Sequence, residues 1–151
     1  MKPKSIIVHS SASRWGNAAI IREWHRTRGF SDIGYHAVIL NGYRTSAMRY
    51  KDVLDGKIEP GRVDTIRGAH CKAGSMNYRA LGVCLIGTIG WEEYPTPRQI
   101  SALVHYLVTK CRAYAIPVSK ITQHSTHEPK KPLCASLDIN QIREKVQEVL
   151  G

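Results

Sequence analysis

Leu81-Gly82-Val83-Cys84-Leu85-Ile86-Gly87 is the most demanding stretch of this chain. It is apolar at nearly every position and does not alternate, so both of its faces must be covered. A central strand with helices packed on either side meets that requirement. A fold built on it needs helices for two layers, and the rest of the sequence supplies them. With 151 residues, 42% hydrophobic and 23% charged, the chain fits one compact domain over residues 1–151.

Ser5 to His9 forms a β-branched run short enough for a second buried strand, with His9 at its end. Asn17 is placed to cap a helix in which Ile20, Ile21 and Trp24 recur at helical spacing, and Gly29 closes it. Arg22, Arg26 and Arg28 give that helix a basic outer surface. Gly34 to Leu40 reads as a strand ended by Asn41-Gly42, and residues 43–62 as a hairpin-like arm. Thr96-Pro97 opens the longest helix, whose inner stripe is Ile100, Leu103, Val104, Leu107, Val108 and Cys111. Lys120 to Gln123 is a short strand, and Asp138 caps a last amphipathic helix. The order β-α-β-β-β-α-β-α, with no repeat and no linker, predicts a single α/β domain with a mixed central sheet and packed helices.

No apolar run approaches the roughly 18–20 residues that cross a bilayer. Residues 1–5 lead into only a brief apolar run, too short for a signal-peptide core, so a cytoplasmic protein is expected. Cys71, Cys84, Cys111 and Cys134 show no paired spacing and read as free thiols, Cys84 and Cys111 within the core. The formal charge of +10 attracts polyanions such as nucleic acid, an anionic membrane surface or an anionic cell wall, and does not choose among them. No helix-turn-helix, RNP or zinc-finger spacing points to a specific nucleic-acid binder.

The chemistry gathers in His124–Cys134, where two imidazoles, a carboxylate, two lysines and a thiol share eleven residues. Alone, this could equally be a polar loop whose cysteine packs inward. It becomes a metal site if the strand ending at His9 lies beside His124 and Cys134, because two histidines and a cysteine form a three-ligand set with a fourth position open. HExxH is absent, since Pro129-Lys130-Lys131 follows His127-Glu128, so any metal is held from strand ends and a loop.

Six motifs occur in order: Val8 to Ala12, Gly34-Tyr35-His36, Pro60-Gly61-Arg62, Gly68-Ala69-His70, Leu81 to Gly87 and His124 to Cys134. Together they resemble the zinc-dependent N-acetylmuramoyl-L-alanine amidases related to peptidoglycan recognition proteins, above all the small phage amidases. The resemblance covers about residues 5–140. It implies Zn2+ held by His9, His124 and Cys134, with His127 a nearer alternative to His124. It implies that Tyr35 donates to the zinc-bound water or oxyanion and that a lysine stabilises the tetrahedral intermediate. Pro132 stands where close relatives carry that lysine, so the role passes to Lys131 or, with a loop shift, Lys130; Ala135 replaces the frequent proline after the third ligand. His70, Asn77 and Arg79 are candidate substrate contacts, and His36 is expected to be structural. Residues 43–56 are longer than the corresponding hairpin, either an arm that could grip glycan or a solvated loop.

The resemblance implies a phage-type endolysin that hydrolyses the amide between N-acetylmuramic acid and L-alanine in peptidoglycan. Such a protein accumulates in the host cytoplasm, reaches the wall after holin action, and is expected to be a monomer. A non-catalytic muropeptide-binding module is the competing reading, disfavoured because all three candidate ligands are present. A regulatory contact with phage RNA polymerase is a further implication of the resemblance.

Overall fold

The computed structural model describes residues 1–90 and 92–151. Its elements run β1 (Ser5–Ser10), α1 (Ala18–Thr27), β2 (Ala37–Asn41), β3 (Asp55–Pro60), β4 (Ala80–Leu85), α2 (Pro97–Tyr114), β5 (Ile121–Gln123), α3 (His124–His127) and α4 (Ile139–Leu150). Short 3-10 turns lie at Asp52–Leu54, Ala73–Tyr78 and Val118–Lys120. The strands form one sheet in the order β3-β2-β4-β1-β5. β2, β4, β1 and β5 are parallel, and β3 is antiparallel at the edge. The mixed sheet with packed helices is as the sequence predicts.

Burial follows the two-residue period of a strand. Ile6 and Val8 of β1, Leu81, Val83 and Leu85 of β4, and Ile39 of β2 pack on one face with Leu103, Leu107 and Cys111 of α2 and Ile142 and Val146 of α4. The alternate residues point the other way. Val38, Leu40 and Cys84 meet Ala18 and Ile21 of α1, and Ile7 meets Cys71. His9 and Gly82 have the same parity as Ile7 and Cys84, so they open onto the α1 side. A slip of one residue would turn His9 under α2 instead.

The helix starts are set by their caps. Asn17 Oδ1 accepts from the Ile20 amide, and Asp138 Oδ1 from the Gln141 amide. Thr96 and Gln99 cap each other's backbone amides at the start of α2. Buried Gln99 then donates from Nε2 to the Ile39 and Ile86 carbonyls, tying α2 to the sheet.

Two expectations are corrected. β2 begins at Ala37 rather than Gly34, because the Gly34, Tyr35 and His36 carbonyls accept from Ala69, Arg62 and Gly61 in crossing loops. Within the arm, only Asp55–Pro60 forms a strand. Residues 43–51 carry no alternating apolar pattern that could seat them on the sheet.

Candidate active site

Parallel strands all end on one side, and ligands in such folds collect there. β1 and β5 are neighbours, so His9, near the end of β1, lies against His124, which follows β5 directly. The two rings are 4.6 Å apart between centroids. The 128–135 loop returns Cys134 to the same place, with Sγ 3.7 Å from His9 Nδ1 and 3.8 Å from the Ser10 carbonyl. One ligand atom from each of His9, His124 and Cys134 lies within 4.8 Å of the others.

The protons on these groups can be placed from their partners. The Ala80 carbonyl can only accept, so His70 Nε2, 3.1 Å away, carries the proton. Burial holds the His70 imidazole neutral, with its pKa pushed down to about 3. Its Nδ1 is then a bare acceptor, 2.9 Å from His9 Nε2, which must donate. His9, itself held neutral mainly by burial, is left with a lone pair on Nδ1 facing Cys134. This Ala80–His70–His9 chain fixes the tautomer that a metal ligand requires.

The His70 ring sits in a slot that two glycines leave open. A Cβ on Gly68 would lie 2.3 Å from its Cδ2, and one on Gly82 would lie 2.6 Å from its Cγ. Asn77 secures the loop carrying it, its Oδ1 accepting from the His70 and Cys71 amides at 2.7 and 2.8 Å.

His124 Nε2 meets the Glu128 carboxylate one turn later. Burial lowers its pKa, and Glu128 works against that. Cys71, His124 and Glu128 form a second group of metal-ligand type that shares His124. His127 faces away, with Nε2 2.8 Å from Thr122 Oγ1. Burial pushes the Cys134 thiol up, while the Lys131 ammonium favours the thiolate. Tyr35 packs its ring 5.0 Å from His9, and burial raises its pKa well above the ordinary value, so it stays a phenol.

Tyr35, His70, His124, Glu128 and Cys134 line a groove of about 950 Å³, with His9 buried beneath it. Lys131 lines it, whereas Lys130 is exposed off its wall. His70 and Asn77 also line it, but both His70 ring nitrogens and the Asn77 carbonyl oxygen are engaged within the protein. Arg79 is not brought to the groove. It folds back onto the Gly74 carbonyl, because the 73–78 turn offers that acceptor first. His36 is structural, accepting the Gly82 amide at Nδ1 and meeting the Ile66 carbonyl at Nε2.

Several residues line the groove that the sequence did not single out as site residues, Arg62 of the Pro60-Gly61-Arg62 motif among them. Arg62 is aimed by the Ile33 and Arg67 carbonyls, and Arg67 packs its guanidinium over Tyr78. Arg28, expected on the outer surface of α1, lines the groove together with His25. His25 Nδ1 accepts the Gly34 amide, and burial first, then Arg28, lowers its pKa to about 4. For His25 and Arg28 the available hint was their helical spacing.

Residues 1–134 match the family described as N-acetylmuramoyl-L-alanine amidase, and the chain belongs to that family. It is 32% identical to the endolysin of Escherichia phage T7 over 148 residues, covering 93% of this chain and 85% of that protein. It is 33% identical to the endolysin of Klebsiella phage KP32 over 147 residues, covering 93% and 85%. Among solved structures, N-acetylmuramoyl-L-alanine amidase LysC from Clostridium intestinale URNW superposes with a TM-score of 0.80 at 26% identity, covering 97% of this chain and 87% of that one. Drosophila PGRP-LB shares the fold, with a TM-score of 0.68 at 23% identity, covering 89% and 75%. Within the family this chain is an amidase of the phage endolysin type.

Proposed function

We propose that His9, His124 and Cys134 hold a zinc ion, and that Tyr35 and Lys131 face the oxygen on which charge develops as the muramoyl–L-alanine amide is cut. The observation that carries this is the bared His9 Nδ1 lone pair 3.7 Å from Cys134 Sγ. Zinc bonds of about 2.05 Å to nitrogen and about 2.3 Å to sulfur, at a tetrahedral angle, set those atoms about 3.6 Å apart. The two donors thus already stand at the edge length of a zinc tetrahedron. Two imidazoles and a thiolate suit zinc by donor type and leave one position open. Zinc bound there supplies Lewis-acid and water-activating chemistry.

The chain's own groups do the rest. Tyr35 keeps its proton and can donate it in a hydrogen bond to the carbonyl oxygen, which gains negative charge towards the transition state. Lys131 brings a positive charge to the same wall, ion-paired with Glu128 at 3.7 Å. Glu128 in turn orients the His124 ring. Among the described residues, Arg28, Arg62, Arg67 and Lys72 line the groove with Lys131, against the carboxylate of Glu128. That balance suits the carboxylates of a peptidoglycan stem peptide. The same proposal has the protein accumulate in the host cytoplasm and reach the wall once a holin opens the membrane, a route supported by its likeness to phage endolysins.

The test is mass spectrometry of digested peptidoglycan together with metal analysis of the purified protein. New L-alanine amino termini and about one zinc per chain are expected. Full activity after stoichiometric metal removal would overturn the zinc assignment, and a donor set without His9 would overturn the ligand assignment.

A further inference from the structure

A second cavity of about 770 Å³ lies outside the catalytic groove, lined by Trp15, Trp24, Tyr43 and Met48 among others. We propose that it is a saccharide subsite, holding the glycan strand beside the muramic acid whose amide is cut. This rests on the peptidoglycan reading above and extends it from the peptide to the sugar chain.

The cavity and the groove are lined by neighbouring residues of two shared segments. Ser10 and Ala12 line the groove, and Ser13, Arg14 and Trp15 of the same loop line the second cavity. At the end of α1, His25 and the capping Arg28 face the groove and Trp24 faces the cavity. Trp24 and Arg28 are four residues apart, about 6 Å along the helix axis. A polymer whose muramoyl–peptide bond lies at His9 must continue past the site, and this is the adjoining aromatic cavity.

The chemistry of the cavity fits sugar. Trp15 and Trp24 stand edge to face with ring centroids 5.5 Å apart. Trp24 and Tyr43 remain 36% and 43% exposed, which leaves two partly open aromatic faces in one cavity. Pyranose rings offer flat C–H faces to such rings, and hydroxyl and acetamido groups to polar atoms at their edges. Thr45, Ser46, Glu92 and Glu93 supply those edges.

The walls are held in place. Buried Asn41 donates to the Arg14 carbonyl at 2.9 Å and accepts from the Tyr43 amide at 3.1 Å, and the Gly16 amide donates to the Tyr43 carbonyl at 2.9 Å. The charge is also unlike that of the rest of the molecule. In a chain of net charge +10, this cavity carries Glu92 and Glu93 against Arg14 alone, and Arg14 pairs with Glu92 at 2.9 Å. The cavity's own arginine is already paired, so its lining favours an uncharged glycan over an anionic polymer. The carboxylate-bearing peptide is thereby directed to the basic groove and the neutral sugar to the aromatic cavity.

The zinc-loaded protein is tested with two substrates and one probe. Trp24→Ala and Tyr43→Ala are each expected to raise KM on intact sacculi about tenfold with kcat unchanged. Hydrolysis of a soluble N-acetylmuramoyl peptide, which has no neighbouring sugars, should be unaltered, and Trp24→Phe should restore most of the loss. In NMR spectra the indole N–H signals of Trp15 and Trp24 should shift on titration with a β-1,4-linked N-acetylglucosamine tetramer, whether or not the enzyme is active. Equal losses on both substrates, undiminished activity on sacculi, or indole shifts with anionic vesicles or DNA but not with the tetramer would each overturn the subsite. Failure of the wild-type protein to release L-alanine amino termini, with the tetramer still bound, would instead sink the reaction assignment.

Discussion

Replacing His70 tests how this fold prepares a metal ligand. His70→Phe keeps a planar ring between Gly68 and Gly82 but removes the acceptor for His9 Nε2–H and the donor to the Ala80 carbonyl. His9 is 1% exposed, so no water replaces the lost acceptor. A buried donor left unsatisfied costs about 1–3 kcal/mol, and the ring is free to rotate its Nδ1 lone pair away from Cys134. Loss of an outer partner of a metal-ligating histidine lowers metal affinity about 10–100-fold, which is about 1.4–2.8 kcal/mol. The two routes give the same range. The assay is zinc competition against a chromophoric chelator, with thermal melting to confirm a folded chain. Gly82→Ala should act in the same direction, since its Cβ would lie 2.6 Å from the His70 ring. A folded His70→Phe protein with wild-type zinc affinity would refute the tautomer chain.

Cys134→Ser and His124→Ala should each abolish turbidity loss on outer-membrane-stripped cells and reduce bound zinc below one equivalent; full lysis by either removes that residue from the site. Tyr35→Phe should keep its zinc and lose about 10²–10³-fold in kcat, as for one oxyanion donor, and unchanged turnover would exclude it. Lys131→Ala should lower kcat while Lys130→Ala leaves it near wild type, and the reverse result would assign the role to Lys130. His25 and His70 have folded pKa values of about 4 and about 3, below the ordinary 6.5. Between pH 6.5 and about 4 the unfolded chain therefore binds protons that the folded chain does not, and stability is lost as pH falls. Urea midpoints of the metal-free protein should drop from pH 7 to pH 5, and equal midpoints would show that these rings are not held neutral.

Much of this architecture was legible from local pattern. The uninterrupted apolar run at Leu81–Gly87 required a strand covered on both faces, and β4 is buried along its whole length between β2 and β1. Asn17, Thr96 and Asp138 marked helix starts because capping is a short-range hydrogen bond. The meeting of His9 with His124 and Cys134 was another matter. Their separation in sequence leaves no periodic trace, and only the likeness to a family brought them together. The hydrogen bonds of His70 could not be read at all, since its two partners lie on different strands. Arg79 folds away from the groove for a similar reason, because its acceptor is created by the shape of the 73–78 turn. Residues 43–56 gave no register, yet they carry Tyr43, Thr45, Ser46 and Met48 to the aromatic cavity.

The donors of His9 and Cys134 are separated by 125 positions of chain, and β5, which sets His124 beside β1, makes only three residue pairings. A growing polypeptide therefore holds the proposed metal set incomplete until Cys134 has been made. An ion clasping donors so distant in sequence would add most where the sheet's own pairing is short, as it is between β1 and β5.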